Sequence, residues 1–281
     1  MRLATVIDSA GSTTAAVVVD GRWHALPFAN LSAALLDEGW RDAAAATVRS
    51  AHSGATALTD VVPTLLLPSP SKVICAGLNY SEHILEMGRE LPAYPTLFAK
   101  FADTLTGPVD DIIVREPGAL VDWEAELAVV IGTTISRGTT EQAAAAIAGY
   151  TVSNDVSVRD WQNRTIEFLQ GKAFDRTTPV GPVLVTAEEI DPKAGLDIGC
   201  SVNGTVMQSG NTSTLVFDSV TLVEYVSRFA TLRPGDIILT GTPGGVGAGR
   251  SPQVFLADGD VLTTTIEGIG TLTNTYRHLP A

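Results

Sequence analysis

Glu124 and Glu126 stand one residue apart in the stretch VDWEAELAVVIG, a run whose apolar alternation reads as a β-strand. Side chains at i and i+2 of a strand share a face. The two carboxylates therefore crowd one side, while Trp123, Leu127, Val129 and Ile131 take the other. Adjacent anions repel, and a hard divalent cation with oxygen ligands relieves that repulsion. A third carboxylate, Asp155, follows the next apolar run in the loop-like stretch SNDVSVRD, completing a candidate set of three oxygen ligands. Acidic residues on the solvated face of an antiparallel strand give the same pattern, so spacing alone leaves both readings open.

His83 and Glu86, three residues apart after the apolar run KVICAGLNY, share one face if the segment is helical. A carboxylate against an imidazole fixes its tautomer and raises its basicity, which suits deprotonation of a water. The plainer reading is a surface histidine on a helix capped by Asn79 and Glu82. Lys172 in GKAFD and Arg159 in VRDWQ, with Gln162 and Gln170, supply cationic and amide donors after Asp155. The run TGTPGGVGAG, Thr240 to Gly249, invites a nucleotide-binding reading that fails on detail: no Gly-Lys-Ser/Thr follows, and Arg250 stands where a dinucleotide fingerprint needs its third glycine. Its glycines let a backbone approach a ligand closely, with the Thr240 and Thr242 hydroxyls as donors.

These groups need a scaffold. The 281 residues, 45% of them hydrophobic, suffice for a sizeable core. Residues 1–66 open with two alternating runs, RLATVID and TTAAVVVDG, followed by a helix-like stretch through Leu31 to Ser50, and read as a small α+β domain. The Pro/Ser segment 67–71 reads as a linker. Residues 72–281 are short apolar runs separated by turn signals at Asn203-Gly204, Arg233-Pro234-Gly235-Asp236 and Ala257-Asp258-Gly259-Asp260. Helices are expected at about Glu82–Gly88, Thr140–Ala148 and Thr214–Phe229. The class is α+β, mainly β, and a β-sandwich or closed roll fits better than a doubly wound sheet.

A formal charge of −13 opposes binding to nucleic acid or to an anionic membrane. An acidic substrate would need local positive charge from a metal or from convergent Lys and Arg. Cys75 and Cys200 lie far apart in apolar contexts, which gives no disulfide framework or zinc pattern. Neither a signal-type apolar region nor a membrane-length run is present, so a cytoplasmic protein is expected.

Taken in order, GLNYSEH with Glu86, PTLFAKF, WEAEL, SNDVSVRDWQ, GKAFD with PVGP, VNG, FDSVTLVEYVS, LRPGDIILTGTPGGVG and DGDVLTTTIEGIGTLTN resemble the motif set of the fumarylacetoacetate hydrolase family. The resemblance covers Lys72 to about Asn274, and residues 1–66 resemble the variable N-terminal domain of longer members. It implies a mixed β-sandwich roll, a homodimer, and Mg2+ or Mn2+ at the centre, with Ca2+ admitted by the same oxygen ligands. Carried over residue by residue, it assigns metal ligation to Glu124, Glu126 and Asp155, catalysis to His83, Glu86 and Lys172, and substrate contact to Arg159, Gln162 and Thr242. Trp123 departs from the Tyr or Phe common at its position. The implied activity is cleavage of a carbon–carbon bond in an acylpyruvate-type dioxo acid such as fumarylpyruvate, through an enolate whose charge the ion neutralises. Decarboxylation of oxaloacetate and isomerisation of an unsaturated hydroxy-dioic acid use the same intermediate. A non-catalytic, metal-dependent oxo-acid binder is the reading of another class. Glu86–Tyr94 and Asn163–Leu169 are the expected lids over the pocket.

Overall fold

After Glu126 the run LAVVI contains no polar residue, so neither face of that strand can be left to water. The computed structural model describes residues 1–86 and 90–279, without the side chains of His83 and Glu86. In it the strand Ala125–Ile131 is buried along its whole length, as is its antiparallel neighbour Ile147–Asn154. Both belong to a long mixed sheet. Its order is Arg22–Ala25, Thr13–Val19, Arg2–Asp8, Thr178–Thr186, Ile147–Asn154, Ala125–Ile131, Ile237–Leu239, Val73–Gly77 and Thr96–Lys100. Most neighbours run antiparallel, and Ile237–Leu239 lies parallel to Val73–Gly77.

A five-stranded sheet covers one face of this layer. Its order is Thr205–Asn211, Asp197–Val202, Val261–Ile266, Gly270–His278 and Ile112–Val114, and its strands pack across Ala125–Ile131, Ile147–Asn154 and Thr178–Thr186. The helix Thr140–Ala146 packs against Ile147–Asn154 and against the helix Ser219–Ser227. Two sheets face to face with few helices make a mainly β sandwich. The first strand, Arg2–Asp8, pairs with Thr178–Thr186, so the N-terminal strands extend the main sheet.

Local chemistry sets the element ends. The helix-like stretch Leu31–Ser50 is two helices, Leu31–Leu36 and Trp40–His52. Asp37 turns extended at the end of the first (φ −89°, ψ 122°), and its carboxylate accepts from the Gly39 N–H at 2.8 Å. The helix expected over Thr140–Ala148 stops at Ala146, where a strand takes over. The stretch from Thr214 is helical only from Ser219, capped by the Asp218 side chain. Asn79 does not cap the helix Ser81–Glu86. Its amide donates to the Phe217 and Thr240 carbonyls (2.9 and 2.8 Å), and its Oδ1 accepts from Phe217 N–H (2.8 Å).

The turn RPGD is tied to the Pro/Ser segment through Asp236. Its buried carboxylate accepts from Ser71 Oγ (2.6 Å) and from the backbone N–H groups of Lys72 and Arg233 (2.9 and 2.8 Å), and it pairs with the Lys72 ammonium at 2.8 Å. Asp236→Ala strips the shared acceptor from several part-buried donors at once. An expected loss of about 2–4 kcal/mol should appear as a lower urea midpoint with an unchanged slope.

Candidate metal centre and active site

Strand register brings the three acids together. Ala125 pairs with Asn154 and Glu126 with Ser153, so Asp155, one step beyond the strand end, arrives opposite Glu124. The Asp155 N–H donates to the Glu124 carbonyl at 2.8 Å, and Glu124 N–H donates to Asn154 Oδ1 at 2.9 Å. One carboxylate oxygen from each of Glu124, Glu126 and Asp155 lies within 4.8 Å of the others. Their relative exposures of 8%, 2% and 0% exclude the solvated-face reading. Trp123 points away, fully buried, with its indole N–H donating to the Gly245 carbonyl at 3.2 Å.

Cations surround the acids unevenly. The Lys172 ammonium bridges Glu124 Oε2 (2.7 Å) and Asp155 Oδ2 (2.8 Å), and Lys100, also buried, pairs with Asp155 Oδ1. Arg159 reaches Glu124 Oε1 at 2.7 Å and Asp122 Oδ2 at 2.8 Å, and donates to Gln162 Oε1 at 2.8 Å. Among the described residues no ammonium or guanidinium pairs with Glu126, which accepts from the Gly241 N–H at 2.7 Å.

The titration directions follow. Burial, then Asp155 and Glu124, push Glu126 well above the carboxylate range. Burial also pushes Asp155 up, but Lys100 and Lys172 outweigh it and hold the group low. Burial lowers Lys172, yet Asp155 and Glu124 more than reverse this and keep it charged. Three hard oxygen donors, one of them without a cation partner among the described residues, fit a divalent ion of the Mg2+ or Mn2+ type.

The glycine-rich run serves this cluster. Gly241 donates to Glu126, while Gly247 and Ala248 N–H donate to the two oxygens of Asp122 at 2.7 and 2.9 Å. Gly241 has φ +96°, and a Cβ there would meet the Ala76 carbonyl oxygen at 2.9 Å, so only glycine brings this N–H onto the acid. Asp122 thus fixes both the loop and Arg159. Asp122→Asn would keep the shape but weaken both charge-assisted contacts; an about tenfold rise in substrate KM is expected, read from steady-state kinetics.

Two members of the cluster, Glu124 and Glu126, line a cavity of about 460 Å³, within the usual size of small-ligand sites. Arg159, Gln162, Lys172 and Thr242 line it, together with Leu78, Phe98, Phe168 and Val246. Thr242 Oγ accepts from Gln208 Nε2 at 2.8 Å, leaving its hydroxyl proton free for a ligand. Thr240 Oγ is instead buried without a hydrogen bond, and Gln170 lies exposed. His83 and Glu86 sit on the helix Ser81–Glu86, and their side chains lie outside the described residues, as do residues 87–89 of the first expected lid. A second cavity, about 430 Å³, lies between Tyr150, Pro192 and Ser219. It lacks the acid cluster, so charge convergence, more than volume, marks the site. Lys100 and Asp122 escaped the sequence reading, as did the two phenylalanines.

This fold and acid cluster define the fumarylacetoacetate hydrolase family, and the chain belongs to it: residues 72–277 match the family described as fumarylacetoacetate (FAA) hydrolase C-terminal. The chain is 44% identical over 237 residues to the oxaloacetate tautomerase FAHD2A, mitochondrial, of Homo sapiens, covering 82% of this chain and 76% of that protein. Among solved structures, the fumarylacetoacetate hydrolase of psychrophilic Exiguobacterium antarcticum superposes with a TM-score of 0.86 at 35% identity, covering 99% of this chain and 100% of that one. Maleylpyruvate hydrolase of Sphingobium sp. SYK-6, in complex with manganese (II) ion and pyruvate, gives 0.80 at 29% identity with 99% of each chain covered. Among the described residues no helix is long and apolar enough to cross a membrane.

Proposed function

We propose that the protein is a divalent-metal-dependent enzyme that stabilises the enolate of a small, anionic 2-oxo acid. The observation that carries this reading is the buried set Glu124, Glu126 and Asp155 with Lys172 beside it in a cavity wall. These three carboxylates would hold Mg2+ or Mn2+, which when bound supplies Lewis-acid neutralisation of the developing charge. Lys172, kept charged by its partners, stands where it can neutralise an oxyanion. The Thr242 hydroxyl donates to the substrate carboxylate, and Arg159 holds Glu124 in place while adding positive potential to an acidic protein. The segment Asn163–Leu169 is proposed to close over the mouth and exclude water.

In the reading that the cavity's apolar walls support, the substrate is an acylpyruvate-type 2,4-dioxo acid. His83, oriented by Glu86, takes a proton from water. The resulting hydroxide adds to the distal carbonyl, the carbon–carbon bond breaks, and the enolate takes up a proton to leave pyruvate and a carboxylic acid. A second reading, supported by the tautomerase relative, is isomerisation of oxaloacetate between enol and keto forms, in which a proton leaves the enol oxygen and another is gained at C3. Decarboxylation of oxaloacetate passes through the same enolate. The functional unit is proposed to be a cytoplasmic homodimer.

Enol absorbance of oxaloacetate, acetylpyruvate and fumarylpyruvate, followed with Mg2+ or with chelator, tests the common claim. Pyruvate release, measured with lactate dehydrogenase, separates the reactions: stoichiometric pyruvate from a dioxo acid marks hydrolysis, and accelerated enol loss from oxaloacetate without pyruvate marks tautomerisation. Tight metal-dependent binding with no turnover of any of the three would leave only an oxo-acid binder.

A further inference from the structure

The cavity lining is chemically mixed. Glu124, Glu126, Arg159, Gln162, Lys172 and Thr242 are its polar set, and Leu78, Phe98, Phe168 and Val246 its large apolar set. The two meet at Phe98, whose ring centre lies 5.5 Å from the Lys172 ammonium. Phe168 stands edge-to-face against Phe98, with centroids 5.8 Å apart and planes at 82°. An oxo group beside Lys172 therefore directs the rest of its molecule across Phe98 and onto Phe168. Both cations in the described lining are already engaged, Lys172 by Glu124 and Asp155, and Arg159 by Asp122 and Glu124. Among the described residues no further cation lines the cavity, so a second carboxylate would lose its water without gaining an ionic partner from them.

We infer that Phe98 and Phe168 are the specificity-determining wall of this site and that, among the oxo acids weighed above, it favours an acylpyruvate with a flat, apolar, uncharged tail over oxaloacetate and fumarylpyruvate, whose tails end in a second carboxylate. This deepens the enolate reading above and rests on it. Aromatic edges and faces of this kind reward a planar partner at ring-contact distance. Gly77 backs the same wall: a Cβ there would lie 3.7 Å from Phe168 Cε2, 3.8 Å from Thr96 Cγ2 and 4.0 Å from Phe98 Cε1. Those are ordinary contacts, so Gly77→Ala adds a methyl to the cavity wall without a clash. Phe168 is only half buried, on the segment just before the short helix Leu169–Lys172, so its truncation leaves the sandwich core intact.

The test is calorimetric titration of the Mn2+-loaded protein with three acids that have no second oxo group to hydrolyse: 2-oxobutanoate, 2-oxo-4-phenylbutanoate and 2-oxoglutarate. The last two extend the first with a phenyl ring or a carboxylate. Wild type is expected to bind the phenyl compound about tenfold more tightly than 2-oxobutanoate, and 2-oxoglutarate no better than 2-oxobutanoate. Phe168→Ala should cut the phenyl advantage to about threefold or less, and Gly77→Ala should reduce it by crowding. Should wild type favour the carboxylate tail, or should the phenyl advantage be missing or survive Phe168→Ala, the wall does not select the tail and the inference is overturned. Failure of 2-oxobutanoate itself to bind in a metal-dependent way would instead overturn the enolate reading beneath it.

Discussion

Glu126→Gln is expected to abolish metal binding while making the metal-free protein more stable. Each of the other two acids has a cation against it, whereas Glu126 is held by a single backbone N–H. Burial and two like-charged neighbours therefore push it toward its protonated form in the metal-free protein, and a divalent ion would supply the positive charge that lets it ionise. The glutamine keeps the shape and can still accept from Gly241. Mn2+ affinity should fall by about a hundredfold or more, and the stability of the chelator-treated protein should rise by about 1–2 kcal/mol. Calorimetric titration and urea unfolding read the two effects separately. Unchanged Mn2+ affinity would refute the ligand assignment, and a less stable apo protein would mean that Glu126 serves the fold.

The same substitution has a pH signature. Glu126 is raised above its ordinary 4.5, so between that value and its folded pKa the native state holds a proton that the unfolded chain has released. Stability of the metal-free protein then falls as pH rises through that window. Asp155 is lowered from 3.8, so it contributes stability at higher pH that is lost as the solution is acidified below that value. Glu126→Gln should remove the first slope and leave the second. Melting curves in chelator between about pH 3 and 8 show whether they separate.

What the sequence made legible was whatever depended on local spacing. Glu124 and Glu126 at i and i+2 already implied a shared face, and the apolar run behind them implied a buried strand. The turns at Asn203-Gly204 and RPGD carry their own backbone chemistry. Lys100 was harder to see because a lysine beside phenylalanines in PTLFAKF gives no hint of its partner. Its contact with Asp155 spans 55 residues and exists only because the strand Thr96–Lys100 lies beside Val73–Gly77. The one available signal was a charge inside an otherwise apolar strand. Asp122 hid for a similar reason, since it reads as a companion of Glu124 until the glycine-rich run folds over it. That run was read as a backbone able to approach a ligand closely, but its use of backbone N–H groups to hold the protein's own acids depends on long-range approach. The short helices Arg159–Gln162 and Leu169–Lys172 are each about one turn, too short for periodicity to announce.

Lys172→Met carries the other large expectation, and it runs opposite to the first. The Lys172 side chain is 2% exposed and its ammonium lies between Glu124 and Asp155, so removing its charge while keeping its length leaves Glu124 to Arg159 and Asp155 to Lys100, with an apolar chain between the two carboxylates. Breaking a buried pair in this way costs about 3–5 kcal/mol, and the metal-free variant should unfold at a much lower denaturant concentration. Added Mn2+ restores part of the missing positive charge, so its stabilising shift should be larger in the variant than in wild type. Turnover should not return with stability. It is expected to stay down by about 10²–10³-fold at saturating metal, because the ion does not replace a donor placed at the cavity wall beside Phe98. Lys172→Arg makes the distinction sharper: it restores the charge, but its planar fork cannot present a compact ammonium to both carboxylates and the substrate. Recovery of stability without recovery of kcat in that variant would assign Lys172 a role in the reaction, whereas full recovery of both would reduce it to a counter-ion for the acids.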